Sequence, residues 1–284
     1  IIIFILILLI LAAGEIYRET HTFRVRKYKV KTKKNIGIQN CVKVIFLSDL
    51  HNCVYGNKND KLYKAIQAEM PDMILIGGDM LVAKEGSSVQ EALEFVKKLP
   101  HICQVYYTNG NHEQRMKENT DIYGDTYERY KAKLENCGVC FLENKAENIE
   151  KNGMKFSIYG LKLDSSVNRK FKKADVTEKT VEEKIGKKGK DYSILMAHNP
   201  AYMDAYKKWG ADLILSGHLH GGLVRCPGIG AVVTPQGFLF PKYSGEMRRE
   251  GEQTIVVSRG LGSHTINIRL FNMPEVIAIE VCVR

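Results

Sequence analysis

Five short stretches of this chain place metal-ligating side chains directly after runs of β-prone residues. Four are SDLH at 48–51, GD at 78–79, GNHE at 110–113 and GHLH at 217–220, and the fifth is the single His198. Together they hold five of the eight histidines in the 284 residues. A mixed set of imidazole and carboxylate ligands favours Mn, Fe or Zn over calcium or magnesium alone. The inventory therefore predicts a two-metal hydrolytic centre.

The spacing inside these stretches is suited to sharing ions. Asp49 and His51 are two residues apart, so on an extended strand end they point the same way and can bind one ion. His218 and His220 repeat that spacing. The two oxygens of Asp79 can bridge a pair of cations about 3.5–4 Å apart. We therefore expect these side chains to belong to one dinuclear site.

The segments around these groups predict how they are positioned. Each group is preceded by a β-prone run, at 42–47, 73–76, 104–107, 192–197 and 213–215. Helical apolar spacing separates the first runs, at 61–70, 89–99 and 126–134. This alternation predicts a mainly parallel sheet, whose loops at the carboxyl ends of the strands meet at one edge. An alternating run at 156–163 and a β-rich segment at 223–284 predict a second sheet stacked on the first, with helices outside.

The net charge of +10 is concentrated in two blocks. Residues 17–34 carry +7 and residues 167–190 carry +5, so the rest of the chain is slightly acidic. Because the basic residues do not extend along the whole chain, we do not expect a nucleic-acid partner. The first block follows an apolar run and would be attracted by anionic lipid headgroups. For the second block, solvated basic loops are an equally good interpretation.

Residues 1–13 form an unbroken apolar run that is too short to span a bilayer, which takes about 20 residues. The chain begins with three isoleucines and no methionine, so we expect this run to be the tail of a membrane helix. A cleaved signal peptide ending near residues 12–14 is the alternative. We predict a membrane anchor and juxtamembrane segment over 1–20, a catalytic domain over 24–284, and single-pass attachment to the cell membrane with the face left open.

Seven cysteines occur without the spacing of a disulfide framework. Cys41, Cys103 and Cys282 lie in apolar strand-like runs, which is typical of buried free thiols. Cys137 and Cys140 have CxxC spacing, but no second pair accompanies them, so ordinary core or loop cysteines are favoured over structural zinc. The set leans towards a reducing environment.

The order of these segments resembles the calcineurin-like metallophosphoesterase superfamily, whose pattern is DxH, GD, GNH[DE], H and GHxH. GHLHGG at 217–222, VVSRGLG at 256–262 and RLFNMPE at 269–275 resemble its membrane-associated YkuE-like branch, which includes enzymes acting on UDP-diacylglucosamine-type lipids. The resemblance covers about residues 24–284. It implies an α/β fold, a four-layer α-β-β-α sandwich of two mixed sheets, and metal-dependent hydrolysis of a phosphoric ester.

The resemblance also implies roles for individual residues. One ion would be held by Asp49, His51 and His220, the other by Asn111, His198 and His218, with Asp79 between them and His112 as general acid. Such proteins often have an aspartate three residues after the bridging one, where it orients the histidine of GNH. Val82 stands there in this chain, so Glu113 or Glu85 would have to substitute.

These observations predict a membrane-anchored dinuclear phosphoesterase that cleaves a phosphomonoester, phosphodiester or pyrophosphate bond. A phospholipid, a nucleotide-linked lipid or an envelope precursor suits such an enzyme. Arg225, Arg248 and Arg259 follow GHLH and could pair with a second phosphate, although an ordinary surface role is favoured for each, and His264 lies in a Gly-rich loop. No substrate-binding residue is assigned. The alternatives are a non-catalytic binding module on the same fold and a nuclease.

Overall fold

Two six-stranded sheets form the centre of the fold in a computed structural model, which describes residues 1–34, 40–164, 167, 174–226, 228–235, 237–263 and 267–283. The first sheet has the order β1-β14-β2-β3-β4-β5. Its strands are β1 (Arg24–Thr32), β2 (Cys41–Leu47), β3 (Met73–Ile76), β4 (Gln104–Tyr107), β5 (Val139–Phe141) and β14 (Glu275–Val283). Strands β2 to β5 are parallel, whereas β14 runs antiparallel to β2.

The second sheet has the order β12-β13-β9-β8-β7-β6 and is also mixed. It consists of β6 (Lys145–Lys151), β7 (Met154–Leu161), β8 (Tyr192–Ala197), β9 (Leu213–Ser216), β12 (Met247–Glu250) and β13 (Gln253–Val257). Its four central strands are parallel, and the two edge strands are antiparallel to their neighbours. A hairpin of β10 (Val224–Cys226) and β11 (Gly230–Val233) stands apart from both sheets.

Three apolar cores show that the sheets and helices form four layers. The helices are α1 (Ile2–His21), α2 (Asp60–Ala68), α3 (Gln90–Val96), α4 (Asn111–Glu118), α5 (Thr120–Tyr123), α6 (Thr126–Glu135), α7 (Glu178–Ile185) and α8 (Met203–Trp209). Helices α2, α3 and α6 pack on the first sheet, and α7 and α8 pack on the second. The third core fills the space between the sheets, with Phe46 and Ile194 among its members.

Burial on both faces explains the sequences of the central strands. In β3 all four residues, MILI, are buried, and in β8 all six residues, YSILMA, are buried. Parallel strands covered on both sides have nearly continuous apolar sequences for this reason. The predicted strands and the predicted pair of stacked sheets are confirmed, and the predicted helices lie within a few residues of α2, α3 and α6.

Helix α1 does not match the predicted transmembrane segment. Its apolar run stops at Gly14 and is followed by Glu15, Arg18 and Glu19. The Glu19 side chain is buried and accepts a hydrogen bond from the backbone N–H of Asn272 at 2.7 Å. None of the helices in the described part of the chain combines the length and the apolar content needed to cross a membrane. The predicted transmembrane segment and single-pass anchor are therefore wrong, because charged residues follow the apolar run within the same helix.

Two of the cysteines that were expected to be free thiols form a disulfide. Cys41 in β2 and Cys282 in β14 face each other across the antiparallel ladder and are joined. They are 241 residues apart in sequence, so no local pattern reveals their pairing. The prediction holds for Cys103, which is free and half-buried, and burial raises the pKa of its thiol to about 11.

Candidate metal centre

All five stretches singled out in the sequence lie at the carboxyl ends of parallel strands. Asp49, Asp79 and Asn111 follow β2, β3 and β4, which are neighbours in the first sheet. His198 follows β8, and His218 follows β9 in the second sheet. Because the two sheets are stacked, both sets of loops meet at one end of the sandwich. The predicted convergence of these side chains on a single site is what the structure contains.

The backbone at this end is held in a left-handed conformation at five of these positions. The φ angles are positive at Asp49 (54°), His51 (48°), Asp79 (55°), His218 (71°) and His220 (53°). This region is costly for residues other than glycine, and such residues cluster at functional sites. The surrounding structure must therefore stabilise the turns that aim these side chains inward.

Two glycines allow the carboxylates to approach the neighbouring loops. A Cβ on Gly110 would lie 2.2 Å from Asp79 Oδ1, and one on Gly217 would lie 2.3 Å from Asp49 Oδ2. The space saved is used for hydrogen bonds. The backbone N–H of His112 donates to Asp79 Oδ1 at 2.8 Å, and that of His218 donates to Asp49 Oδ1 at 3.0 Å. Each buried carboxylate is thus fixed by the loop that carries the histidine opposite it.

Asp49, His51 and His220 form one group of potential ligands. The Nε2 atoms of the two histidines are 3.1 Å apart, and His220 Nε2 lies 3.6 Å from Asp49 Oδ1. The other ring nitrogen of His220, Nδ1, lies 2.8 Å from the Gly262 carbonyl oxygen and must donate to it. In the neutral ring, Nε2 therefore carries a lone pair that points into the group, as in a histidine that binds a metal.

A second group contains Asp79, His198 and His218, with Asn111 beside them. His198 Nε2 lies 3.1 Å from Asp79 Oδ2 and 3.2 Å from Asn111 Oδ1, which in turn is 2.7 Å from His218 Nδ1. His198 Nδ1 donates to the Gly77 carbonyl at 2.7 Å. As in the first group, a backbone carbonyl fixes the tautomer and leaves a lone pair on the inner nitrogen.

The electrostatics of this second group favour bound positive charge. Burial lowers the pKa of His198, but the Asp79 carboxylate outweighs it and raises the pKa to about 10. Burial raises the pKa of Asp79, but the charges of His198 and His112 outweigh it, and this pKa falls well below the ordinary range. Burial and the charge of His198 lower the pKa of His218 to about 3. The negative charge that favours a proton on His198 would also favour a bound metal cation.

The arrangement fits two divalent cations. Carboxylate oxygens and imidazole lone pairs converge from both sheets, and buried acceptors that face one another repel unless a cation lies between them. The groups are three-membered sets whose ligand atoms all lie within 4.8 Å of one another. Nitrogen and oxygen ligands in this combination are typical of transition-metal sites.

His112 lies against the site and is positioned by the backbone. Its Nδ1 accepts a hydrogen bond from the Ala83 N–H at 2.8 Å, so in the neutral ring the proton is on Nε2. Its ring packs edge-on against His51, with centroids 4.9 Å apart. The amide of Ala83 therefore orients His112, but as a donor to Nδ1, whereas a carboxylate three residues after Asp79 would accept a hydrogen bond from Nδ1. Of the two acids considered as substitutes, Glu85 is exposed.

Glu113 has a different partner from the one considered in the sequence analysis. Its buried carboxylate accepts from the backbone N–H groups of Asp79 (2.8 Å), Met80 (2.9 Å) and Gly110 (3.0 Å). The Tyr107 hydroxyl donates to it as well, at 2.7 Å. Burial, and next the charge of Asp79, raise the pKa of Glu113 to about 7. Glu113 thus ties together the loops that carry Asp79 and Asn111.

Arg269 was missed by the sequence analysis. Its guanidinium is buried and donates to the backbone carbonyls of Gly262 (2.7 Å), Arg259 (2.9 Å), Asn272 (3.2 Å) and His220 (3.4 Å). The Gly262 carbonyl is the one that fixes the tautomer of His220. The only signal for it in the sequence is that it opens the RLFNMPE segment at 269–275.

The three arginines considered for a second phosphate are engaged within the protein. Arg225 is buried and donates to the carbonyls of Gly221 and Ser244 at 2.7 and 2.9 Å. Arg248 pairs with Glu246, and Arg259 donates to the Gly245 carbonyl. Residue 264, the histidine of the Gly-rich loop, lies outside the described residues.

The fold and the site define a metallophosphoesterase, and comparison with known proteins agrees. A family model described as calcineurin-like phosphoesterase matches residues 42–222, and the chain belongs to this family. The chain is 26% identical over 260 residues to the uncharacterized metallophosphoesterase YkoQ of Bacillus subtilis (strain 168), covering 91% of this chain and 90% of YkoQ. It is 25% identical over 242 residues to the phosphodiesterase YaeI of Escherichia coli (strain K12), covering 84% and 81%. Over 265 residues it is 24% identical to the uncharacterized metallophosphoesterase YkuE of Bacillus subtilis (strain 168), covering 92% and 86%.

The predicted superfamily is therefore confirmed, and the chain is a metal-dependent phosphoric ester hydrolase. The family is dinuclear, and the Asp and His groups at the strand ends could hold the two ions. The narrower likeness to enzymes of UDP-diacylglucosamine-type lipids stays a prediction.

Proposed function

We propose that the site at the strand ends is the catalytic dinuclear centre of a phosphodiesterase or phosphomonoesterase. In this proposal one ion is bound by Asp49, His51 and His220, the other by Asn111, His198 and His218, and both by Asp79. The observation that carries it is the convergence of seven buried or half-buried ligands from two sheets, with the tautomers of His198 and His220 fixed by backbone carbonyls.

Two divalent ions bound there would neutralise phosphoryl oxygens and make a water molecule acidic enough to attack phosphorus near neutral pH. Manganese, iron and zinc suit the mixed nitrogen and oxygen ligands. The protein contributes geometry: each carboxylate is held by a backbone N–H from the opposite loop, so the ligands do not have to reorganise when substrate enters.

We assign His112 to the leaving group. Its Nδ1 is occupied by the Ala83 N–H, so its Nε2–H is the group available to the departing oxygen of the ester. A hydrogen bond from Nε2 stabilises charge on that oxygen, which matters more for an alkoxide than for a nitrophenolate. His112 therefore determines how poor a leaving group the enzyme tolerates.

His112→Asn should lower kcat/KM for alkyl phosphoesters by about 10²–10³-fold, the usual cost of losing a donor to charge that develops in the transition state. The loss for bis(p-nitrophenyl) phosphate should be much smaller, because nitrophenolate leaves without help. The two rates are measured on the same manganese-loaded preparations. Equal losses for both substrates would exclude this role.

The substrate is a phosphoester that can enter the site at the carboxyl ends of the parallel strands. A diester is favoured because the related Escherichia coli protein carries the name phosphodiesterase. Phospholipids, nucleotide-linked lipids and envelope precursors are the classes to try next. A nuclease is disfavoured by the concentration of basic charge in two blocks, and a binding module without turnover is disfavoured because every expected ligand is present.

The test is a hydrolysis profile of the protein loaded with Mn²⁺, Fe²⁺ or Zn²⁺ against phosphomonoesters, phosphodiesters and nucleotide-linked lipids. Turnover that chelation removes and metal restores is expected for at least one class. Two bound metal ions without turnover of any phosphoester would support the binding module instead. Tight, strongly salt-dependent binding of DNA would support the nuclease.

A further inference from the structure

A cavity opens beside the proposed metal centre and has no part in the chemistry described so far. Its enclosed part is only about 20 Å³, which is room for about one water molecule, and the rest is open to solvent. Asn109, Asn111, His198, Lys162, Leu163 and Tyr206 are among the residues that line it. Because Asn111 and His198 also belong to the centre, a molecule bound at the metals would extend into this cavity.

Lys162 lies at the edge of the sandwich where the metal ligands lie. It directly follows β7, which is parallel to and paired with β8, the strand that delivers His198. The backbone N–H of Lys162 donates to the Asn144 side chain at 2.7 Å, which fixes the start of the loop. Lys162 is one of the residues that line the cavity, and its side chain is 21% exposed.

The ammonium group of Lys162 is in an environment with excess positive charge. Glu143 lies 3.8 Å away, but Lys117 and Lys131 already form closer ion pairs with it. The Tyr127 hydroxyl also donates to Glu143, at 2.8 Å. One carboxylate therefore serves three lysines, with Glu135 3.9 Å from Lys131 as a weak further partner. Lys162 is the member of this cluster that lines the cavity and has the weakest partner.

Asn109, which also lines the cavity, is held in place by the same cluster. Because Tyr127 donates to Glu143, its oxygen accepts from Asn109 Nδ2, at 2.7 Å, and this fixes the orientation of the amide. Asn109 Oδ1 is buried and has no hydrogen-bond partner among the described residues. This oxygen has almost no accessible surface, so it is not a contact for a ligand in the cavity.

We propose that the open part of this cavity is a substrate subsite that binds a second anionic group of the phosphoester through Lys162. The proposal rests on the proposed function and narrows it: the substrate carries a phosphoryl or carboxylate group besides the ester that is cleaved. Phosphoryl and carboxylate groups present the same charge chemistry to a lysine, so the test separates them.

The test measures inhibition of bis(p-nitrophenyl) phosphate hydrolysis at saturating Mn²⁺. The inhibitors are alkane bisphosphonates with one to four methylene groups, the corresponding phosphonocarboxylates, and methylphosphonate as the reference with a single anionic group. In the wild type, at least one two-anion inhibitor should bind about tenfold or more tightly than methylphosphonate, as expected for a hydrogen bond to a charged group. The better series identifies the second group as phosphoryl or carboxylate.

Lys162→Met should abolish that gain while leaving the inhibition by methylphosphonate and the rate with bis(p-nitrophenyl) phosphate unchanged. Lys162→Arg should retain most of the gain. Lys207→Met is the matched control, because its side chain is also 21% exposed and pairs with Glu250 away from the cavity. The rate with bis(p-nitrophenyl) phosphate tests the proposed function separately from the subsite.

Three results would overturn the subsite. The first is a wild type that binds no two-anion inhibitor more tightly than methylphosphonate. The second is a Lys162→Met variant that keeps the full gain, because Lys162 would then not bind the second anion. The third is a Lys162→Met variant that loses hydrolysis of bis(p-nitrophenyl) phosphate, because Lys162 would then be needed for the basic reaction.

Discussion

The two sides of the metal centre are held in place by buried groups of opposite charge. On the side of Asp79 and Asn111, the Glu113 carboxylate accepts hydrogen bonds from three backbone N–H groups and one tyrosine. On the side of His220, the Arg269 guanidinium donates to four backbone carbonyls. Neither side chain lies in the groups of potential metal ligands. Both act on the backbone.

This difference explains how strained turns are stabilised next to a cationic site. The left-handed residues Asp79 and His220 leave backbone groups that ordinary strand or helix pairing cannot satisfy. A carboxylate satisfies several donors at once, and a guanidinium satisfies several acceptors. The side of the centre that exposes amides uses Glu113, whereas the side that exposes carbonyls uses Arg269. The charge of each supporting group thus matches the backbone groups it bonds: N–H groups for the carboxylate and carbonyls for the guanidinium.

Replacing Asp79, which is proposed to bind both ions, should cause the largest loss of activity. We expect Asp79→Asn to lower kcat/KM by about 10³-fold or more, because the ions supply several kcal/mol of transition-state stabilisation and Asp79 is proposed to bind both. Asp49→Asn, which affects one proposed ion, should lose less activity. Steady-state rates over a range of Mn²⁺ concentrations measure both. Near-normal activity of Asp79→Asn would refute the bridging role.

Variants of Arg269 and Glu113 should differ in whether excess metal restores their turnover. Arg269→Met should weaken metal binding about 10–100-fold, as is usual for residues behind the ligands, and excess metal should restore most of the turnover. Glu113→Gln should lower turnover even at saturating metal, because Glu113 also fixes the loop that carries His112. Metal titrations of activity separate the two effects.

The proposed difference between Arg269 and Glu113 would be refuted if excess metal affected the turnover of both variants in the same way. Thermal unfolding of the metal-free variants is the control, because each substitution leaves buried backbone groups unpaired at a cost of about 1–3 kcal/mol. A variant that is merely unstable loses activity in parallel with its thermal unfolding, and because bound metal stabilises the folded state, unfolding and activity are compared at the same metal concentrations.

A third charged group, the largely buried Glu143, should have the smallest effect on the metal centre, and its loss should be seen in stability. Burial raises its pKa, but hydrogen bonds from Lys117 and Lys131 outweigh it and lower the pKa to about 2 from an ordinary 4.5. Because the folded pKa is the lower one, the contribution is complete above about pH 4.5 and is lost as the pH falls towards 2. Glu143→Gln should therefore cost about 1–2 kcal/mol of unfolding free energy at pH 7 and progressively less below pH 4.5. Denaturant unfolding at several pH values measures it, and a cost independent of pH would contradict the ion-pair explanation.

The sequence predicted the strands and the ligand loops well, for physical reasons. Central parallel strands are buried on both faces, so runs such as 73–76 are apolar throughout, and the polar ligands begin where the strands end. The chemistry of His and Asp at fixed spacing is local information. These features do not depend on knowing which segments meet in space.

The features that escaped prediction depend on contacts between distant segments. Arg269 donates to the carbonyl of His220, 49 residues earlier, and Glu113 accepts from the N–H of Asp79, 34 residues earlier. Cys41 meets Cys282 only because β14 inserts beside β2. The charged end of α1 bonds to the loop at Asn272, which the apolar run preceding it does not indicate. Side chains that serve the backbone carry no signature of their own.

The metal content of the active protein tests the central claim most directly. Elemental analysis, combined with the magnetic-resonance spectrum of the manganese-loaded protein, counts the ions and detects coupling between them. We predict two ions per chain with the spectrum of a coupled pair, and loss of that coupling in Asp79→Asn. Full activity in protein that retains no transition metal, or two ions that show no coupling in the wild type, would contradict a dinuclear centre at the strand ends.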